Sequence, residues 1–399
     1  MSSETQNPQT PGAGQGSSLG LPPDLLERVP SVPWPEPPAG IGYERLEESH
    51  AEAVNSLFRK VFQVNRSLEQ YQWKFWDNPA GPPIGMFALD QSSGAALSAN
   101  IGLRKKLRLL GEDQQALLVC ESATDPKARS GGRLYRSITN GTALMAAEEG
   151  VRFAYGGQST DAAIKIGQRW FWYQVIFQLE IWEKRLSLGP ALRTRFGTVG
   201  GMLSRATDWM ARSRKPADFG KFQIRPVETI GADFDRLWTE YRDRYDLVFC
   251  RDAATLRWRY QDCPLYRHHF LVAWQNQQPV GYLVWRQWEP YATRLATVMD
   301  LWDGSDPELS RALLEAMVFH AVAARCEFMH FGAKAGTAGA EAVGQIAGFK
   351  PSTRERPDRV IATPMPLPVW HRERDFEMIR ASLDGERWYY TQGDCDFLD

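Results

Sequence analysis

A chain of 399 residues with a net charge of −1 carries no global field that would draw nucleic acid or an anionic membrane, and it is long enough for two or three domains. Charged residues make up 24% and hydrophobic residues 43%, the balance of a soluble globular protein. Cys120, Cys250, Cys263, Cys326 and Cys395 form no C-x-x-C pair and no metal-ligand spacing with the six histidines, so no zinc site is expected and a reducing cytosol fits.

Residues 1–38 are rich in Pro, Gly, Ser and Gln. They hold too few apolar groups to offset the entropy of ordering, so a disordered tail is expected there. No basic-then-apolar pattern opens the chain and no window approaches ~18 uninterrupted apolar residues, so neither a signal peptide nor a membrane span is expected. Structure begins near Ile41 with an edge strand, Gly42–Leu46. Val54, Leu57, Phe58, Val61 and Phe62 then recur at helical spacing behind a Ser49/Glu52 cap. A second helix runs from Leu68 to Trp76 and stops before Asn78-Pro79. Strands are predicted at Ile84–Asp90, Ala95–Leu103, Lys105–Leu110 and Gln115–Thr124, with turns between them. The last contains an apolar run, Ala116 to Cys120, as in a central strand covered on both faces.

The stretch from Glu121 to Tyr135 organises the rest. A strand ends there in a turn holding Arg129, Ser130, Gly131 and Gly132, and a helical pattern, Gly131–Glu149, begins. The unpaired N–H groups and positive dipole end of such a helix start make an anion site, usually for phosphate. A short strand (Arg152–Gly156), a short helix (Thr160–Gly167) and an aromatic-rich strand pair (Trp170–Arg185) follow. Residues 188–218 carry six Arg/Lys against two Asp, with apolar residues at helical spacing. This reads as a basic amphipathic linker, either packed between domains or in peripheral contact with an anionic membrane.

From 219 to 364 the element order returns: strand Phe222–Val227, helices Asp233–Tyr245 and Asp252–Tyr260, strands His269–Trp274, Val280–Trp288 and Arg294–Trp302. A long helix (Asp306–Arg325), a strand (Glu327–Gly332), a helix (Gly339–Ala347) and a strand (Arg359–Thr363) complete it. Trp73-Lys-Phe-x-Asp77-x-Pro79 matches Trp258-Arg-Tyr-x-Asp262-x-Pro264 in residue class at every position. Both long helices follow an Asp-Pro, at Asp125-Pro126 and Asp306-Pro307. The reading is a tandem duplication of one α/β unit, 41–187 and 219–364, with a C-terminal extension, 365–399. The second copy opens its long helix with Pro307-Glu-Leu-Ser-Arg311, which holds no glycine and puts an acid, Glu308, in the first turn. If one copy binds an anion, it is the first.

The unit, with its strand–Arg-x-x-Gly–helix join, resembles the GNAT acyltransferase fold: a mixed, mostly antiparallel sheet flanked by helices. That family holds the pyrophosphate of acyl-CoA in an Arg/Gln-x-x-Gly-x-Gly/Ala loop. Arg129 and Gly132 fill its first and fourth positions, and Leu134 stands where a small residue is usual. The resemblance implies acetyl-CoA or another acyl-CoA as cofactor, held by Arg129, Ser130, Gly131, Gly132 and Arg133. It implies that the pantetheine arm lies along Ser122, Ala123 and Thr124. The acceptor would be an amine of a small molecule or a saccharide precursor, as in bacterial polysaccharide and envelope systems.

Amine acylation needs a base, and Glu121 at the end of an apolar run is the candidate, its pKa expected to rise by desolvation. Its alternative role is to pair with Arg104 or Lys106. The family's usual acid, a Tyr four residues before the helix-ending Gly, is absent: the positions hold Ala163 and Gly344. Tyr173 is the substitute, with Tyr155 nearby. Two other readings stay open, a Fem-type transfer from aminoacyl-tRNA and a non-catalytic scaffold or acyl-CoA sensor. The tail acids Asp394, Asp396 and Asp399 are read as solvated rather than as metal ligands.

Overall fold

The computed structural model describes residues 32–129, 131–157, 160–187, 189, 192, 195–199, 219–290, 293–353, 357–366 and 373–396. Most of the expected disordered tail, most of the 188–218 linker, Ser130 and Asp399 lie outside the described residues.

The first half contains β1 (Ile41–Arg45), α1 (Ala51–Phe62), α2 (Leu68–Phe75), β2 (Ile84–Asp90), β3 (Ala96–Leu109), β4 (Glu112–Thr124), α3 (Arg133–Glu148), β5 (Phe153–Gly157), α4 (Asp161–Trp170) and β6 (Gln174–Arg185). The second contains β7 (Gln223–Val227), α5 (Ala232–Tyr241), β8 (Leu247–Phe249), α6 (Ala253–Leu256), β9 (His268–Gln275), β10 (Gln278–Trp288), β11 (Leu295–Trp302), α7 (Pro307–Ala323), β12 (Phe328–Lys334), α8 (Ala338–Gln345), β13 (Phe349–Pro351) and β14 (Asp358–Pro364). The extension adds α9 (Glu373–Leu383) and β15 (Trp388–Tyr389).

Three expectations are corrected. β3 is one strand of 14 residues, not two, since its pairing with β4 continues through Leu103, Arg104 and Lys105. It turns into β4 through Leu110 and Gly111, both at positive φ, the two-residue hairpin geometry that matches strand twist. The stretch Trp170–Arg185 is not a strand pair, since α4 runs on to Trp170 and only β6 follows. The short strand β8, between the two expected helices Asp233–Tyr245 and Asp252–Tyr260, is not among the expected elements and pairs with β3 and β15.

All the strands join one mixed sheet, in the order β1-β2-β3-β4-β5-β14-β6-β12-β11-β10-β9-β7 along its main path. Most neighbours are antiparallel; β4/β5 and β11/β12 are parallel. The order shows an exchange. β14 of the second half pairs with β5 of the first (Val360↔Gly157 to Pro364↔Phe153), and β6 of the first pairs with β12 of the second (Phe328↔Arg185 to Lys334↔Leu179). The sheet is therefore continuous across the expected domain boundary. Helices α1 and α3 pack against the strands of the first half, α7 against those of the second.

The repeated Trp-cation-aromatic motif lies where the halves meet. Trp73 Nε1 donates to the Trp258 carbonyl (2.9 Å) and Trp258 Nε1 donates to the Trp73 carbonyl (2.8 Å), a reciprocal pair with stacked rings 5.8 Å apart. The next residues, Lys74 and Arg259, are both buried cations. Burial of unpaired charge is prohibitive, so each must find an oxygen. The extension supplies them: Asp396 accepts from Lys74 (3.0 Å), and the carbonyls of Gly393 and Cys395 accept from Arg259.

Candidate active site

β4 pairs with β3 from end to end but meets β5 only at Leu117↔Ala154 and Leu118↔Tyr155. Beyond Leu118 the two parallel strands part. The cause is local. On β3, the adjacent residues Ile101 and Gly102 face Glu121 and Val119, so Cys120 is an extra residue, a bulge that bends β4 away from its neighbour. Its thiol points back to the Ile101 carbonyl (3.6 Å). The parted edge carries Ser122, Ala123 and Thr124. Ser122 accepts from Asn100 Nδ2 (2.6 Å) and Thr124 shares a hydrogen bond with Ser98 (2.8 Å), so both hydroxyls are fixed by β3.

From Thr124 the chain needs eight residues, Asp125 to Gly132, to reach α3. Asp125 anchors the start: its carboxylate pairs with Lys60 (2.6 Å) and accepts from the Lys127 amide, and these bonds, Lys60 first, hold its pKa below the usual range. Gly131 (φ +62) and Gly132 (φ +80) are left-handed, where a side chain costs about 1–2 kcal/mol. A Cβ on Gly132 would also lie 2.7 Å from the Trp170 ring, whereas one on Gly131 would meet nothing within 4 Å. Gly132 caps α3 with no side chain, and no acid occupies the first turn. The first-turn N–H groups and the positive helix end are thus open to an anion. Arg129, Gly131 and Arg133 are exposed around this turn. The donor set fits the pyrophosphate of an acyl-CoA.

A cavity of about 810 Å³ continues from this mouth. It follows α3 from Arg133 to Ala143, a rise of about 15 Å at 1.5 Å per residue. Leu117 and Val119 of β4, Ala154 of β5, Trp170 to Tyr173, Thr363 to Pro366 and the segment Val32 to Glu36 form its other walls. The lining is mostly apolar and aromatic, with Arg133, Arg136 and Arg169 as its cations.

Tyr173 lines this cavity, half-buried against Gly167, whose Cβ would sit 1.9 Å from the ring. Burial raises its pKa, so the phenol is protonated throughout the physiological range. Tyr155 is excluded from the site: it stacks on Phe249 at 4.6 Å and donates to the Asp394 carbonyl (2.8 Å) in the core.

Glu121 does not behave as expected. It is 2% exposed and is held by Arg66 (Nη2 to Oε2 3.1 Å, and a second contact from Nη1) and by Lys74 (3.1 Å). Burial alone would lift its pKa, but the Lys74 and Arg66 charges outweigh it and the net shift is downward. The expected rise toward neutrality is thus overturned. Its partners are also not Arg104 or Lys106: Arg104 contacts Glu149 and Lys106 lies further along β3.

The second half repeats the parting of strands and then closes it. β11 and β12 pair from Leu295↔Phe328 to Thr297↔His330 and separate. The C-terminal extension lies in the gap. Gly393 abuts Tyr260 and the Met299 carbonyl so closely that a Cβ would meet them at 1.8 and 3.0 Å; the Gln392 side chain lies on Gly332; Thr391 donates to Asp300 (3.1 Å). Asp394 pairs with buried Arg251 (2.6 Å). The tail acids Asp394 and Asp396 are therefore ion-paired, not solvated. The connection to α7 is four residues, Asp303 to Asp306, and the Asp306 carboxylate takes the amides of Glu308 (2.9 Å) and Leu309 (3.3 Å). That helix start has no donors left for a phosphate.

Sequence reasoning missed Cys120 as a bulge and Trp170 over the glycine turn. The cations of the Trp-Lys/Arg-aromatic motif were the available signal for the tail, since buried they require oxygen partners.

No protein-family model matches the chain, and no curated protein matches it. Solved structures do. A GCN5-related N-acetyltransferase from Anabaena variabilis is 10% identical, with a TM-score of 0.56 over 81% of this chain and 72% of that one. A protein of Enterococcus faecalis V583, described as a probable N-acyltransferase, is 10% identical, with a TM-score of 0.57 over 82% and 73%. Saccharomyces cerevisiae N-myristoyltransferase, solved with myristoyl-CoA, is 11% identical, with a TM-score of 0.54 over 84% and 85%. At that identity the likeness establishes the architecture alone: this chain has the GNAT fold.

Proposed function

We propose that the chain is an acyl-CoA-dependent N-acyltransferase with one cofactor site, in the first half, acting on the amine of a small molecule or saccharide precursor. The observation that carries this reading is the parting of β4 from β5 at the Cys120 bulge, opening beside an uncapped, glycine-led helix start. In this reading the α3 amides, Arg129 and Arg133 hold the pyrophosphate, and Ser122 to Thr124 offer backbone groups to the pantetheine arm. A cavity of this size and apolar lining suits an acyl chain longer than acetyl. The myristoyl-CoA bound by the yeast structure supports the same direction. Tyr173, protonated and lining the cavity, is positioned to return a proton to the leaving thiolate. With Glu121 committed to two cations, the ammonium proton leaves through water.

The test is isothermal titration of the full chain with CoA, acetyl-CoA and myristoyl-CoA. Binding is expected for all three, tightest for myristoyl-CoA, and lost in Gly131→Asp. That substitution adds charge to the cradle without a clash. No binding by the wild type ends this reading. A sensor or scaffold is favoured only by the ion-paired state of Glu121, and binding without turnover on any amine panel would select it.

A further inference from the structure

We propose that the turn between β12 and α8 is a second anion site, one that takes the phosphate group of a small phosphate ester. It does not depend on the acyl-transfer reading. A cleft of about 820 Å³ opens at the carboxyl ends of β11 and β12, at the place corresponding to the cofactor mouth of the first half. Lys334, the last residue of β12, lines it and is 6% exposed. Among the described residues its ammonium has no hydrogen-bond or ion-pair partner. It faces the Phe177 ring at 5.7 Å, and Glu386 and Asp384 act on it only at longer range. The stem is buried while the ammonium is open to the cleft, where an anion would pair with it.

The backbone around Lys334 points the same way. The turn reads Lys334-Ala-Gly-Thr-Ala-Gly339. Gly336 is left-handed (φ +78), and Thr337 caps α8 by accepting from the Ala340 amide (3.3 Å). The amides of Ala335, Gly336, Ala338 and Gly339 have no partner among the described residues. Successive free amides in a glycine turn at a helix start form an anion-binding concavity.

The walls limit the ligand. Trp388 and Tyr389 close the inner end, so no thioester arm can pass through. Asp303 is turned onto Ser305 and Ser310. Exposed Glu180, Glu341 and Glu386 stand at the rim and would repel a second anionic group. They suit a ligand with one phosphate inward and an ammonium or hydroxyls outward.

Isothermal titration of the full chain with inorganic phosphate and with phosphoethanolamine tests this. Saturable binding of both is expected, tighter for the ester, and weakened about tenfold or more by Lys334→Met, the loss of a charge-assisted hydrogen bond. Gly336→Asp is expected to weaken it similarly; it adds charge where a Cβ meets nothing within 4 Å and where Asp tolerates the left-handed backbone. It serves if the first variant fails to fold. Gly131→Asp should leave phosphate binding unchanged. Absence of saturable binding, or equal binding in both variants, overturns the site. Binding lost in Gly131→Asp but kept in Lys334→Met moves the phosphate to the first cradle and overturns it too. Inorganic phosphate binding as tightly as the ester overturns the ester assignment.

Discussion

Replacing Glu121 by Gln separates a structural carboxylate from a catalytic one. The substitution keeps the shape and removes the charge between Arg66 and Lys74, all three side chains being at most 5% exposed. Lys74 keeps Asp396, and Arg66 keeps the neutral Asn55 side chain (2.8 Å) and the faces of Phe58 and Tyr71. Breaking a buried pair in this way costs about 3–5 kcal/mol. With an unfolding entropy of about 2.1 cal/mol/K per residue over 399 residues, that is a fall in Tm of about 4–6 °C. The pH dependence adds a second signature. The folded pKa of Glu121 lies below its ordinary value of 4.5, so the pair's contribution is full above about pH 4.5 and is lost as pH falls through the lower folded pKa. The Tm gap between wild type and Glu121→Gln should therefore be constant between about pH 5 and 8 and narrow below that range. Calorimetric melts across that range measure both. A variant that melts with the wild type yet loses about 10²-fold or more in kcat would refute the structural assignment and restore Glu121 as the base.

Other consequences are as direct. Trp73→Phe and Trp258→Phe should each cost about 1–2 kcal/mol, since each strands a buried carbonyl, and the double mutant in denaturant titrations should show a coupling of about 0.5 kcal/mol or more. Asp394→Asn, which takes one carboxylate from a 2% exposed Arg251 and leaves it Asp300, should lower the denaturation midpoint more than Asp396→Asn, whose side chain is 18% exposed. Tyr173→Phe should reduce kcat with little change in acyl-CoA affinity if the phenol donates a proton; an unchanged kcat removes that role. Gly167→Ala drives a Cβ into the Tyr173 ring and should weaken acyl-CoA binding through the cavity wall, read by titration.

The fold was legible where local rules decide. Hydrophobic spacing placed α1, α2, α3 and α7, and turn residues placed β2 and β10, because helix and strand periods survive in any tertiary setting. The glycine turn was legible for the same reason: Gly131 and Gly132 are left-handed, and that is a property of the residues themselves. What was not legible is long-range. Nothing in Gln174–Arg185 says that it will pair across the halves with β12, and nothing in Asp358–Pro364 says that it will enter beside β5. Cys120 as the bulged residue is a matter of register against β3, which pairing fixes and composition does not. Glu121 failed as a base for a related reason. An apolar run predicts desolvation correctly, but the sign of the pKa shift depends on which cations fold against the carboxylate, and Arg66 and Lys74 come from 55 and 47 residues away.

Three separate differences make the halves unequal, and each removes a different requirement for holding a coenzyme. The first half spends eight residues between its parted strand and its long helix and ends them in two left-handed glycines; the second spends four. The first leaves its helix start uncapped; the second fills it with the Asp306 carboxylate, where a phosphate would need to stand. The first keeps a cavity beside its strand opening; the second admits the tail, with Gly393 fitted so tightly that no other residue has room. Losing any one of these would weaken a coenzyme site, but the tail does more than block. Its Asp394 and Asp396 neutralise Arg251 and Lys74, and its carbonyls satisfy Arg259, so the same nine residues that close the second opening, Trp388 to Asp396, bind the halves across their meeting line. Reopening the second site by truncation would strip a carboxylate from each of Arg251 and Lys74, leaving them Asp300 and Glu121, and would take the Gly393 and Cys395 carbonyls from buried Arg259, which is why a chain shortened before Trp388 should lose its fold rather than gain a second coenzyme.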